Sequence, residues 1–155
     1  MPPSRSEELA KAWIFIVDAE AFEYHTKKHK MEELTAVAAR LLHNNRFLAG
    51  YVNIAEKIGY FVDNNRVIVA EKYHFELLSE EIGISSVPHT SNLPLPLEEA
   101  VPVDPDPLDK RLTYIGGNQI NNRRVYGEIR QDKVSSYNTR FTPRLDTIDI
   151  FEGPL

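Results

Sequence analysis

Apolar positions along the chain fall into short blocks whose spacing changes. Ala12–Val17 is an unbroken run of bulky and β-branched residues, the pattern of a strand buried on both faces. From Ala19 to about Asn45 the spacing lengthens. Phe22, Leu34, Val37, Ala38, Leu41 and Leu42 recur at three- and four-residue steps. Lys27, Lys28, Lys30, Glu32, Glu33 and Arg40 fill the positions between. This spacing predicts a helix with a break near Lys28–Lys30, ended at Asn44-Asn45, where asparagine tolerates a left-handed cap. Residues 47–58 read as a second helix closed by Gly59, and residues 71–81 return to helical spacing before Gly83. Between them, Gly59–Val62 and Arg66–Ala70 flank Asp63-Asn64-Asn65 and predict a hairpin.

Six of the ten prolines lie between Pro88 and Pro107. Proline fixes φ and removes a backbone donor, so neither a helix nor a central strand fits there. Beyond it, Leu112–Ile115, Arg124–Ile129 and Thr147–Phe151 suit strands, with Gly116-Gly117 and Asn121-Asn122 as turn signals. The expected fold is α/β or α+β: a small mixed sheet with two to three helices. The expected division is a body over 1–87, a proline-rich acidic connector over 88–109, and a strand-rich extension over 110–155. With about 46 residues, the extension should need to dock on the body or on another chain.

Charge sharpens this division. The chain of 155 residues carries a net charge of −5, yet residues 92–109 hold five acids and no base, and residues 110–144 hold eight bases and two acids. There is no cysteine, which excludes disulfides, thiolate zinc sites and a cysteine nucleophile. No apolar run approaches the roughly 20 residues of a membrane-spanning helix. The first run is also preceded by Glu7 and Glu8, where a signal peptide would be basic. Composition thus predicts a soluble cytoplasmic protein without membrane contact.

Several local strings invite chemistry. Ile14-Phe15-Ile16-Val17-Asp18-Ala19-Glu20 resembles the start of PIN- and NYN-type nuclease domains, in which an Asp after the first strand binds metal. The later acids those domains use have no counterpart here. Asp18 also suits a helix cap, the preferred reading. Asp63, followed by Glu71-Lys72, resembles a restriction-type nuclease site, but there the acid and lysine are separated by one residue. Adjacent residues of a strand face opposite ways. Asn53–Tyr60 resembles the first helix of a helix-turn-helix, although turn residues follow where a recognition helix should begin. His25, His29 and Glu33 stand four apart and would share one face of a helix, but Lys27, Lys28 and Lys30 would oppose a bound cation. An exposed polar turn is preferred. No catalytic residue, metal site or cofactor is expected.

The strongest candidate is the basic-aromatic extension. Arg111, Arg123, Arg124, Arg130, Lys133, Arg140 and Arg144 are interleaved with Tyr114, Tyr126, Tyr137 and Phe141. Arginine and tyrosine are the side chains enriched as anchors of protein interfaces. They also hold single-stranded nucleic acid, with guanidinium on phosphate and rings under bases. Arg111, Tyr114, Arg123, Arg124, Tyr126, Arg130, Tyr137 and Arg140 are the candidate binding residues. The favoured function is a non-catalytic interaction or assembly protein that meets a protein partner or its own copy. A nucleic-acid-binding protein or metal-dependent nuclease is the alternative.

Overall fold

The computed structural model describes residues 12–63, 66–79, 85–90, 101–103, 113–120, 123–130 and 147–152. The expectation of a mixed α/β sheet with two to three helices is overturned. The described residues form two antiparallel sheets and a single helix. The strands are β1 (Trp13–Ile16), β2 (Ala36–His43), β3 (Arg46–Asn53), β4 (Ile58–Asp63), β5 (Arg66–Ala70), β6 (Phe75–Leu78), β7 (Ser85–Thr90), β8 (Thr113–Ile120), β9 (Arg123–Arg130) and β10 (Thr147–Glu152); the helix is α1 (Ala19–Lys28). The first sheet has the order β1-β6-β2-β3-β4-β5, and the second β7-β10-β8-β9.

The helix is far shorter than its spacing suggests, and its ends explain why. Asp18 caps the start, its carboxylate accepting from the Ala21 amide at 2.8 Å. At the other end Lys30 takes a left-handed φ of 57°. The Met31 amide donates to the Thr26 carbonyl at 2.8 Å and the Lys30 amide to Lys27 at 3.2 Å. This pair of bonds is a Schellman closure, with buried Met31 supplying its hydrophobic contact.

The two other expected helices are strands. Residues 36–43 and 46–53 form a hairpin in continuous register from Ala36↔Asn53 to His43↔Arg46. Asn44 and Asn45 both adopt positive φ (51° and 65°), as a tight hairpin turn demands. Asparagine's tolerance of the left-handed region was legible, but it turns a hairpin rather than ending a helix. The residues read as a second helix end β3 and enter a turn at Ile54–Lys57. There the Asn53 side chain accepts from the Glu56 amide at 2.9 Å and Lys57 has φ 61°. No helix-turn-helix forms there. The third helix is replaced by β6, which pairs with β1 and β2. The hairpin β4–β5 forms where expected, and β1 lies within the Ala12–Val17 run read as a strand.

The misreading has one cause. The first sheet is covered on both faces, so its central strands are apolar almost throughout and lose the alternation that marks a strand. One face carries Ile16, Val37, Ala39, Leu48, Val52, Phe61, Phe75 and Leu77, packed under Phe22 of α1 and Met31. The other carries Trp13, Ala36, Ala38, Ala49 and Leu78, packed against Val101, Val103, Ile115 and Tyr126. Gly50 and Gly59 permit close approach on the first face. A Cβ at Gly50 would collide with the Tyr60 carbonyl and Phe61, and one at Gly59 with the Phe61 ring.

In the second sheet, β8 and β9 pair from Thr113↔Arg130 to Ile120↔Arg123. Gly116-Gly117, read as a turn, lies within β8, buried and paired with β9 on one side and β10 on the other. β7 contains Pro88 and sits at the edge of its sheet, where a missing amide is tolerated. Among the described residues, no helix is long and apolar enough to cross a membrane.

Candidate functional site

The eight candidate residues have different placements. Tyr114 lies on β8 and is 4% exposed; Tyr126 lies on β9 and is 8% exposed. Tyr126 belongs to the core between the sheets, with Trp13, Ala38 and Ala49. Arg123, Arg124 and Arg130 are placed by their backbones on β9. Arg111, Tyr137 and Arg140 lie outside the described residues. The topology brings three of the arginines onto one strand, which is the outer strand of its sheet among the described residues. That strand runs over β2 and β3.

A second polar centre, absent from the sequence reading, joins the sheets. Arg40 of β2 stacks between two rings, its guanidinium carbon 4.4 Å from the centroid of Trp13 and 4.0 Å from that of Phe47. Its Nε donates to Glu76 Oε2 at 3.2 Å and its Nη2 to Oε1 at 3.0 Å, a bidentate fork. Its Nη1 donates to the carbonyl of Val103 at 2.9 Å. Register explains the pairing, since Arg40 lies directly opposite Glu76. All three donating nitrogens are thus used, and the guanidinium ties residues 101–103 to the first sheet. The partners are 36 and 63 residues away in sequence, so no local pattern could have revealed them.

Around the end of α1, His25 and His29 stack with centroids 6.1 Å apart. Glu33 lies beyond the helix end at Lys28, so the shared face expected for the three residues does not form. His29 Nδ1 lies 3.4 Å from Ser79 Oγ. His25 Nδ1 is buried without a hydrogen-bond partner among the described residues. Burial, then the neighbouring His29 and Lys28, pushes the His25 imidazole below its usual pKa. Among the described residues no three His, Asp or Glu side chains converge as a metal site would require. A half-open pocket of about 160 Å³ lies beside this helix end, bounded by His29, Lys30, Met31, Leu34, Val37 and Tyr126 among others.

Asp18 and Asp63, the two acids of the nuclease resemblances, are both engaged locally. Asp18 caps α1. Asp63, at the end of β4, lies 3.7 Å from Arg46.

No protein-family model, curated protein or solved structure matches this chain.

Proposed function

We propose that this chain is a non-catalytic interaction protein whose docking element is β9, and that its partner is a protein presenting an extended acidic segment. The observation that carries the reading is the place of β9. It holds Arg123, Arg124 and Arg130, it is the outer strand of the second sheet among the described residues, and it is pinned by Tyr126 in the core between the sheets. An outer strand offers unpaired amides and carbonyls to a further strand. Arginines along it add charge-assisted hydrogen bonds to carboxylates. A strand already held in place loses little conformational entropy on binding.

The burial of Tyr114 and Tyr126 favours a protein over nucleic acid. Rings packed in a core are not free to stack under bases, and stacking is a principal source of sequence-tolerant single-strand affinity. The acidic stretch 98–109 of the same chain carries the charge to compete with such a partner.

The test uses two fluorescent probes: a peptide alternating Glu and Val, and a single-stranded oligonucleotide. Each is titrated in about 150 mM salt against wild type and against an Arg123→Glu, Arg124→Glu, Arg130→Glu variant. Loss of even one charge-assisted bond of about 1.5–3 kcal/mol weakens binding tenfold or more. Peptide binding should fall by at least that factor, with circular dichroism unchanged. Tighter binding of the oligonucleotide than of the peptide would refute the reading. So would peptide binding indifferent to charge reversal.

A further inference from the structure

The first sheet ends in two very different strands. β1 is four residues long and leads directly into α1, so it offers little to pair with. β5, Arg66-Val67-Ile68-Val69-Ala70, is the outer strand at the other end among the described residues, and its single charge, Arg66, stands at its first position. It contains no lysine, proline or glycine, and three of its five residues are β-branched. It pairs with β4 along its whole length, from Gly59↔Ala70 to Asp63↔Arg66. In an antiparallel ladder, alternate residues turn their N–H and C=O groups away from the paired neighbour. On one face, Val67 and Val69 are 56% and 49% exposed. They are among the most exposed large apolar side chains of the described residues, and they sit side by side on one strand.

We propose that β5 is a self-association edge, at which a second copy of this chain pairs antiparallel about a two-fold axis through Ile68. The sequence of the strand selects that occupant and that register. An axis at Ile68 places Val67 of one copy opposite Val69 of the other, twice, and Ile68 opposite Ile68. Cross-strand pairs of β-branched residues stabilise such a ladder. The exposed face then gains a continuous apolar row. Tyr51 lies opposite Tyr60, with ring centroids 5.3 Å apart, and Tyr60 lies opposite Val69. Val67 of the second copy would extend that row across the axis. At each end Arg66 of one copy falls opposite Ala70 of the other, beside Glu71, an opposite charge within reach. Moving the axis one residue pair, to Val69, sets Arg66 against Lys72 instead, a like-charge clash. The surface contributed by a five-residue strand is small, so the dimer is a weak, concentration-dependent one rather than an obligate one.

This surface is separate from β9, and the two proposals fail independently. Sedimentation equilibrium from about 1 to 200 µM should show the average mass rising from 17.8 kDa toward twice that value. The double variant Val67→Lys, Val69→Lys sets like charges opposite one another across the axis. It should remain monomeric throughout the range, with an unchanged melting temperature, because both positions are exposed. The β9 charge-reversal variant should dimerise as wild type does. Register is read by cysteine, which this chain lacks. Val67→Cys mixed with Val69→Cys should form disulfide-linked heterodimers under mild oxidation, at least tenfold faster than either variant alone. A wild-type mass that stays monomeric at 200 µM overturns the proposal. Dimerisation unaffected by the lysine pair overturns it, as does cross-linking no faster in the mixture.

Discussion

Removing the guanidinium of Arg40 is the most informative single perturbation of this fold. Arg40→Met keeps an apolar stem between Trp13 and Phe47 but withdraws the charge, the fork to Glu76 and the bond to the Val103 carbonyl. The side chains of Arg40 and Glu76 are only 11% and 18% exposed, so water screens the pair poorly. Breaking a buried pair from one side costs about 3–5 kcal/mol, most of it the penalty of stranding the other charge. Partial access of water to Glu76 sets the expectation at the lower end, about 3 kcal/mol. Loss of the two ring contacts, of order 0.5–1 kcal/mol each, is partly offset by the methionine packing in their place. Adding Glu76→Gln removes the stranded charge. The double variant should therefore be more stable than the sum of the single effects by about 2 kcal/mol, within the range of coupled neighbours. Urea unfolding measures this well, because Trp13 is the sole tryptophan and its ring lies against the guanidinium. Far-UV circular dichroism should report the same midpoint if the sheets unfold together. Trypsin adds a local readout, since release of Val103 should speed cleavage after Lys110 or Arg111. A loss below about 1 kcal/mol, with additive single and double effects, would reduce Arg40–Glu76 to an ordinary surface ion pair and refute its role in joining the sheets.

Two further outcomes follow from local geometry. Tyr73 and His74 both hold left-handed φ values, 64° and 62°, a conformation costing a non-glycine residue roughly 1–2 kcal/mol. His74→Gly keeps the amide that donates to the Ile16 carbonyl at 2.7 Å. It should raise stability by about 0.5–1 kcal/mol after the added chain entropy of glycine, whereas His74→Val should lower it; a thermal melt that ranks them otherwise refutes the strain. The His25 imidazole has its pKa lowered by burial, His29 and Lys28, so protonation favours the unfolded chain. Its effect is absent above the unfolded value of about 6.5 and grows as pH falls through 6.5 toward the lower folded value. The loss of urea midpoint between pH 7.5 and pH 5 should be smaller in His25→Gln than in wild type, and an equal loss would refute the assignment.

The sequence by itself determined the features that depend on a few neighbouring residues. Asp18 caps a helix because a carboxylate three residues before an amide can reach it. The β4–β5 hairpin forms around Asp63, and β8, β9 and β10 lie near the runs that alternation marked. Lys28–Lys30 was legible as a break, and the helix ends there. Only the tertiary structure decided the rest. Ala36–His43 and Phe47–Asn53 are rich in helix formers, and their leucines and alanines fit a helical stripe as well as they fit a strand. They become strands because each pairs along its length with another, while α1 covers one face and β8–β9 with Val101 and Val103 cover the other. A strand buried on both faces carries no periodicity to distinguish it from a buried helix. The same physics hid the Arg40 clamp. Its partners are near only after β2 and β6 pair and residues 101–103 fold across them, so the spacing of residues along the chain holds no trace of it. The basic character of residues 110–144 is a property of composition and was plain at once. Packing, not composition, decided that two of its tyrosines, Tyr114 and Tyr126, lie within the core.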